Sequence, residues 1–217
     1  MGEKFKVSVL ISGRGSNMQS LVERAEHYRV VAVVSNRSDA AGLDFAKSQG
    51  IDTAVRVRKD APSLDAHKHQ IMSAALETAP DLVCLAGLML IISAEFIESF
   101  DGRVINIHPA LLPAYPGLDT HQRVLEAGDS VHGCSVHYVD SGIDTGPVIA
   151  QASCSVKADD TEDTLAARVL EHEHRIYPWV VNQIALGEIR LKDDRKTVWY
   201  SDVARQGAEQ HSFSLPI

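Results

Sequence analysis

The chain has 217 residues, 45% of them hydrophobic, and a formal net charge of −8 at pH 7. This composition supports a folded domain with a substantial core and excludes a mainly disordered chain. Because the chain is acidic and has no run of Lys and Arg, we expect a small-molecule ligand and no nucleic-acid partner. No apolar segment reaches the roughly 18 residues that a membrane span needs, and the amino terminus lacks a signal-peptide pattern. We therefore expect a cytoplasmic protein with no membrane partner.

The first half of the chain alternates short apolar runs with helical patterns. Strands are predicted at "KVSVLIS", "RVVAVVSN", "DTAVRV", "DLVCLAGL" and "RVINIH". Between them, the spacing of apolar residues predicts helices over "SNMQSLVERAEHY", "DAAGLDFAKSQG", residues 64–78 and "SAEFIESF". Repeated βα units imply a doubly wound, mostly parallel sheet with helices on both faces.

The second half changes character. The segments "HGCSVHYVD" and "GPVIAQASCSV" predict an antiparallel hairpin around the turn "SGIDTG". A long helix is predicted over residues 161–186, and "GEIRLKDDRKTVWY" predicts a closing hairpin. We therefore predict a single α/β domain over residues 1–217, with a folded core over residues 6–200, an antiparallel C-terminal edge and a loose tail over residues 201–217.

A glycine-rich loop, "SGRGSN", separates the first strand from the first helix. It lacks the Gly-Lys-Ser/Thr of a Walker loop, and Met18 stands where a dinucleotide fingerprint needs its third glycine, which argues against ATP and NAD. The loop is either a tight turn with Ser16 or Asn17 as the helix N-cap, or an anion site built from backbone N–H groups. Its position between a strand and a helix favours phosphate.

Two polar side chains, Asn106 and His108, end the strand-like run "VINIH". Pro109 should stop the strand there. Side chains alternate across a strand, so the two share one face about 6.6 Å apart, at the sheet edge where open α/β proteins bind ligands. An amide donor beside a titratable imidazole suits oxyanion stabilisation and proton transfer.

A carboxylate is expected to orient this imidazole and to raise its pKa. The candidates are Asp101, Asp119, Asp140 and Asp144. Asp144 is favoured because it lies in "SGIDTGP", whose two glycines permit unusual backbone geometry near a ligand. An ordinary turn aspartate is the alternative interpretation.

No metal or thiol chemistry is expected. His67, His69 and the run "EHEH" match no zinc signature. The three cysteines, Cys84, Cys134 and Cys154, form no CxxC pair, and we interpret them as reduced core thiols.

Six segments of the chain together resemble the folate-dependent formyltransferases. They run in family order over most of residues 6–180: "VLISGRGSN", "VVSNRSDA", "APDLVCLAGLM", "VINIHPALLPAYPGLDTH", "HGCSVHYVDSGIDTGPVIAQ" and "EHRIYPWVV". The Asn-x-His-Pro-(Ser/Ala)-Leu-Leu-Pro pattern marks the whole family. "YPGLDTH" and the first glycine loop are similar to members that act on glycinamide ribonucleotide.

The resemblance implies the formyltransferase fold and a one-carbon transfer without a metal. A formyl group would pass from 10-formyltetrahydrofolate, as co-substrate, to the amine of 5′-phosphoribosylglycinamide in de novo purine biosynthesis. The partners are then small molecules, and we expect a monomer or a homodimer.

The resemblance also implies residue roles. Asn106 and His108 would hold the formyl oxygen, with His108 as proton donor. Asp144 would raise the pKa of His108 and help to relay the proton of the amine. Binding of the substrate phosphate and ribose falls on Gly15, Ser16, Asn17 and Glu173. Folate binding falls on Met89, Leu90, Ile91, Ile92, Asn106, Asp140, Ser141, Gly142, Ile143 and Asp144.

Two positions depart from the family pattern. Members commonly have arginine where this chain has Leu64 and Leu90. Three outcomes are open: the contacts there are made by the backbone, the affinity for the carboxylate tail of the folate is lower, or the positive charge comes from Arg56, Arg58 or Lys59.

Three alternatives remain at this stage. A methionyl-tRNA formyltransferase would be expected to carry a further basic carboxyl-terminal domain, and a formyltetrahydrofolate deformylase an extra amino-terminal domain. A non-catalytic α/β module that binds a phosphorylated metabolite would tolerate His108→Ala.

Overall fold

The computed structural model of the protein describes residues 4–100 and 102–216, so Asp101 lies outside the described residues. The chain forms two compact units, Met1–Asn106 and Ile107–Ile217. The assignment of residues 1–217 to a single domain stays a prediction.

In the first unit, strands alternate with helices. The elements in chain order are β1 (Phe5–Ile11), α1 (Ser16–Glu23), β2 (Tyr28–Ser35), α2 (Gly42–Ser48), β3 (Asp52–Val55), a short 3-10 helix (Arg58–Asp60), α3 (Leu64–Leu76), β4 (Leu82–Leu85), α4 (Ala94–Ser99) and β5 (Val104–His108), which continues into the second unit. The strands pair in parallel in the order β3-β2-β1-β4-β5. The last five residues of β1 are buried, as in a strand covered on both faces.

The strand order reverses direction at β1. The chain runs outward from β1 to β2 and β3, and then returns to the other side of β1 for β4 and β5. Since parallel crossovers are right-handed, α1 and α2 lie on one face of these strands and α3 on the other. The reversal creates a switch point between the carboxyl ends of β1 and β4, where ligands bind in open α/β sheets.

The second unit is built on an antiparallel hairpin and a long helix. Its elements are α5 (Thr120–Ala127), β6 (Val131–Tyr138), β7 (Val148–Ser155), α6 (Glu162–Ala185), β8 (Ile189–Leu191), β9 (Val198–Tyr200) and α7 (Asp202–His211). β6 pairs with β7 and β8 with β9, both in antiparallel fashion. The helix α6 packs on β6 and β7.

The structure agrees with two predictions, the long helix and the α/β class. Thr161 caps α6 in a capping box with Thr164, and Glu162 and Asp163 occupy the first turn, where the helix dipole favours negative charge. The predicted α/β class, with mainly parallel strands first and antiparallel pairs later, is confirmed.

The tail was expected to be loose, but residues 202–211 form α7. Ser201 caps this helix, and Ala204 and Ala208 are buried on one side of it. Phe213 is 7% exposed and lies edge-on to Trp179 with the ring centroids 5.3 Å apart. Ser214 then exchanges two backbone hydrogen bonds with Gln151 of β7, of 2.8 and 2.9 Å. The prediction failed because α7 has few large apolar residues, so only the tertiary contacts reveal its buried side.

Phe213→Ala is expected to lower the free energy of unfolding by about 3 kcal/mol, because it removes a buried aromatic ring from its contact with Trp179. For a chain of this size the midpoint of thermal unfolding should fall by roughly 6–12 °C. Phe213→Leu, which keeps most of the apolar volume, should lose much less. Equal midpoints for the wild type and Phe213→Ala would mean that the tail contributes nothing to stability.

Candidate active site

The strand β5 ends at the two polar residues that the sequence singled out. Asn106 is half-buried and pairs in register with Leu85 of β4, and His108 is 4% exposed. As predicted, Pro109 lies just outside the strand. The alternation along β5 gives Asn106 and His108 the same face.

Both ring nitrogens of His108 have oxygen neighbours. Nε2 lies 2.9 Å from the carbonyl oxygen of Tyr115, and Nδ1 lies 3.4 Å from Oδ2 of Asp144. A carbonyl only accepts hydrogen bonds, so Nε2 carries a proton and donates it to Tyr115. The nitrogen that gains or loses a proton is therefore Nδ1, which faces the carboxylate.

Asp144 lies between two histidines. Its Oδ2 accepts a 2.9 Å hydrogen bond from the backbone N–H of Gly117, and its Oδ1 lies 3.6 Å from Nε2 of His137. His137 is 2% exposed, and its Nδ1 lies 2.9 Å from the carbonyl oxygen of Tyr138. The β6–β7 register shifts between Val136 and His137, an irregularity of the kind that re-aims a side chain next to a site.

Burial and the charge of Asp144 shift the pKa of His108 in opposite directions. Burial lowers its pKa, and this effect outweighs the hydrogen bond to Tyr115 and the charge of Asp144, which both raise it. The neighbouring His137 and the charge of Arg123 lower the pKa of His108 further. The net pKa lies below the usual histidine value, so the predicted carboxylate effect has the expected sign but is not the dominant one.

Asp144 itself is held as a carboxylate. Burial raises its pKa, but the close approach of His137, the hydrogen bond from the Gly117 N–H and the nearby His108 together bring it below the usual value. An ionised Asp144 beside His108, whose pKa burial keeps below the usual histidine value, is a pair suited to moving one proton.

The other acidic candidates have different partners. Asp140 accepts hydrogen bonds from Gly142 N and Thr145 Oγ1, of 3.0 and 2.7 Å, in a local turn. Asp119 lies just before α5 in a left-handed conformation, with φ of 56°. Asp144 is therefore the candidate that the structure brings to His108.

The glycines of "SGIDTG" act differently from the prediction. The left-handed residue of this loop is Asp144, with φ of 54°, whereas Gly142 and Gly146 have ordinary φ values. They are needed for space, because a Cβ at Gly146 would overlap the carbonyl oxygen of Tyr138, and one at Gly142 would overlap the hydroxyl of Thr145.

Two polar side chains, the buried Ser135 and the half-buried Gln151, hold the segment that follows His108. Ser135 of β6 donates to the carbonyl of Ala110 at 2.6 Å and accepts from the backbone N–H of Leu112 at 3.0 Å. Gln151 of β7 donates to the carbonyl of Leu112 at 2.9 Å and to Ser135 Oγ at 2.8 Å. These contacts position the start of the loop that ends at Tyr115.

The predicted phosphate loop lies in the first unit, after β1. The N-cap of α1 is Gly15 and not Ser16 or Asn17, and no side chain caps the helix. Gly15 has φ of 72°, and a Cβ there would lie 3.0 Å from the Cα of Gly42, so both the conformation and the close approach require glycine. The helix starts directly after Gly15, and helix N-termini attract anions.

The predicted folate segment at residues 89–92 follows β4 at the switch point of the first unit. Met89 and Ile91 are 70% and 68% exposed, whereas Leu90 and Ile92 are half-buried. Ser12 fixes the segment: its hydroxyl accepts from Met89 N at 2.7 Å and donates to Asn36 Oδ1 at 2.6 Å. Neither Ser12 nor Asn36 was predicted, although both directly follow apolar strand runs.

The remaining predicted residues are distributed over both units. Glu173 lies in α6 of the second unit and is 6% exposed. In the first unit, Leu64 opens α3 and is 48% exposed. Nearby in sequence, Arg56 donates to the carbonyl of Val55 at 3.0 Å and Arg58 to that of Ala61 at 2.9 Å.

A family model described as formyl transferase matches residues 5–181. The chain belongs to this family. The resemblance predicted from the sequence is thereby confirmed.

This formyl transferase has relatives that match over nearly their full length. It is 43% identical over 194 residues to the phosphoribosylglycinamide formyltransferase of Escherichia coli strain K12, covering 88% of this chain and 92% of the relative. Its structure is similar to that of glycinamide ribonucleotide transformylase 1 from Symbiobacterium toebii, with a TM-score of 0.87, 38% identity, and coverage of 93% and 96% of the two chains. It also matches 20% of the length of the Bos taurus trifunctional purine biosynthetic protein adenosine-3, at 38% identity over 92% of this chain.

Three further observations concern the described part of the chain. Across residues 4–100 and 102–216, no helix is both long and apolar enough to cross a bilayer. Over the same ranges, no three His, Cys, Asp or Glu side chains are grouped as a metal ion would require. Cys84 and Cys134 are buried and Cys154 is partly buried, and none of these three cysteines is in a disulfide.

Proposed function

We propose that this formyl transferase moves a formyl group from 10-formyltetrahydrofolate to the amine of 5′-phosphoribosylglycinamide, a step of purine biosynthesis. The observation that carries the proposal is the buried His108, whose Nδ1 lies beside Asp144 while Nε2 is held by Tyr115. The 43% identity to an E. coli protein named for this acceptor supports the choice of substrate.

In this proposal His108 supplies the proton. The hydrogen bond to Tyr115 keeps Nε2 protonated and fixes the ring, so the mobile proton is the one on Nδ1. Because burial disfavours the charged ring, a proton placed on Nδ1 is given up readily. This matches a general acid that donates to the formyl oxygen or to the leaving nitrogen.

Asn106 completes the stabilisation of negative charge. When the amine attacks the formyl carbon, charge develops on the formyl oxygen, and the side-chain amide of Asn106 donates a hydrogen bond to it together with His108. Both residues lie on one face of β5, which suits donors that converge on one atom.

Asp144 has two tasks in the proposal. Its negative charge stabilises the protonated form of His108. Its carboxylate also accepts the proton that the attacking amine loses, since the remaining hydrogen-bonding capacity of Oδ1 and Oδ2 allows a further donor. Its low pKa keeps it ionised for both tasks.

The residues that bind the two substrates are assigned from the positions that match the family motifs. Gly15, Ser16 and Asn17 take the phosphate at the start of α1, and Glu173 takes the ribose hydroxyls. The folate contacts come from residues 89–92 and 140–144. In the first unit, the exposed side chains of Met89 and Ile91 offer apolar surface that contact with an aromatic ring would bury. When bound, the folate supplies the activated one-carbon unit.

The test is mass spectrometry of 5′-phosphoribosylglycinamide after incubation with 10-formyltetrahydrofolate and the purified protein. We expect formylated acceptor and deformylated folate in equal amounts. A reaction without acceptor serves as the control. Deformylation that proceeds equally without acceptor would favour the deformylase alternative, and binding of both compounds without reaction would favour the non-catalytic module.

A further inference from the structure

Arg123 of α5 reaches back over the loop that precedes its own helix. Its Nη1 donates to the carbonyl oxygens of Pro116 and Leu118, at 2.7 and 3.2 Å. The guanidinium carbon lies 5.2 Å from the centroid of the Tyr115 ring, within cation–π range. One side chain therefore contacts residues 115, 116 and 118, which surround Gly117.

The peptide group between Pro116 and Gly117 connects Arg123 to Asp144. In a trans peptide the C=O and the N–H point in opposite directions within one plane. Here the Pro116 carbonyl accepts from Arg123 and the Gly117 N–H donates to Asp144 at 2.9 Å. A positive charge at the carbonyl end polarises the peptide and strengthens its N–H as a donor.

The backbone of this loop needs external support. Tyr115 and Asp119 have φ values of 54° and 56°, which are uncommon for residues other than glycine, and Gly117 has φ of 82°. The Tyr115 hydroxyl donates to Asp129 at 2.6 Å, which fixes the ring on which Arg123 lies.

We propose that Arg123 is a positioning residue that holds Asp144 opposite His108 through the Pro116–Gly117 peptide. Arg123 touches no reacting atom in this proposal, and its role rests on the proposed function of His108 and Asp144. The geometry makes the Gly117 N–H a fixed donor rather than a mobile one.

Loss of Arg123 should move both limbs of the pH profile in one direction. Asp144 is faced by His108, His137 and the Gly117 N–H, and His108 is faced by Asp144, His137, the Tyr115 carbonyl and the charge of Arg123. His121 of α5 and His132 of β6 also lie within electrostatic range of His108. Weakening the Gly117 bond raises the pKa of Asp144, and removing the Arg123 charge raises the pKa of His108. The acid limb, which reflects Asp144, and the alkaline limb, which reflects His108, therefore both move to higher pH.

The kinetic test compares Arg123→Met with Arg205→Met. Arg205 also lies over a tyrosine, with its guanidinium carbon 5.4 Å from the Tyr200 ring centroid, but it belongs to α7. For Arg123→Met we expect kcat for formyl transfer to fall about tenfold to a hundredfold, with a smaller change in KM. Arg205→Met should keep the wild-type values. Unshifted limbs, or an equal fall in kcat for both variants, would overturn the proposal.

A second measurement does not depend on activity. In Arg123→Met, the Gly117 amide proton should move upfield in the NMR spectrum and exchange faster with solvent, and in Arg205→Met it should not. An unchanged Gly117 amide refutes the positioning role even if the protein proves inactive on these substrates. If wild-type protein transfers no formyl group but the amide responds as expected, only the proposed function fails. Arg123→Gln replaces the methionine variant if the latter does not fold.

Discussion

Replacing His108 with alanine is expected to lower kcat for formyl transfer by about 10³-fold or more. The ring combines a general acid, worth about 10²–10⁴ in rate, with an oxyanion donor, worth about 10²–10³. The two contributions overlap because one proton on Nδ1 serves both, so their product overstates the loss. Single-turnover formation of the formylated acceptor, followed by mass spectrometry, measures this loss without interference from product release.

His67→Ala is the matched control for this variant. His67 is 2% exposed, and its Nε2 lies 2.6 Å from the carbonyl oxygen of Arg56, so it resembles His108 in burial and in its bond to a backbone carbonyl. It differs in having no acidic partner among the ion pairs of the described residues. If the two alanine variants lost kcat to a similar extent, the loss would come from packing, and the role of His108 as an acid would be wrong.

Asp144→Asn is expected to lower kcat by about 10²-fold and to move the alkaline limb of the pH profile to lower pH. The carboxylate charge raises the pKa of His108 against the effect of burial. Removing this charge lowers that pKa, so the protonated ring disappears at a lower pH than in the wild type. Asparagine is a suitable replacement because it tolerates the left-handed conformation of residue 144 and keeps an oxygen for the Gly117 N–H.

Asp160→Asn is the control, because it removes a carboxylate charge away from the candidate site. Asp160 is held ionised by hydrogen bonds from Arg168, of 2.6 and 2.7 Å, at the turn before α6. Its replacement should leave the shape of the kcat–pH profile unchanged. An alkaline limb that stays in place in Asp144→Asn, or that moves equally in Asp160→Asn, would remove Asp144 from the mechanism.

The parts of the fold that could be predicted are those with local causes. The helix over residues 161–186 was predictable because its acidic first turn and apolar period lie within the segment itself, and the structure gives Glu162–Ala185 with Thr161 as cap. The end of β5 at His108 follows from Pro109 in the same way. In α7, the few buried positions Ala204 and Ala208 gave too weak a pattern.

For the candidate site, the sequence indicated residue types but not their geometry. Asn106 and His108 were recognisable from their place at the end of a strand. The pairing of His108 with Asp144 depends instead on where the loop between β6 and β7 folds, which the sequence does not show. The only sequence feature that pointed to His137 was its place at the end of β6. No sequence feature pointed to the Tyr115 carbonyl, because every residue has a backbone carbonyl. The net pKa of His108 likewise depends on burial, which a sequence pattern does not quantify.

The bridge between Ser214 and Gln151 has a consequence for self-association. β7 is the last strand in its sheet order, with β6 on one side. Such an edge presents unpaired N–H and C=O groups that can recruit a strand from another molecule and start aggregation. The carboxyl-terminal segment occupies both backbone groups of Gln151 in the middle of that edge. By pairing with Gln151, Ser214 therefore shortens the stretches of β7 on which a strand from another molecule could pair.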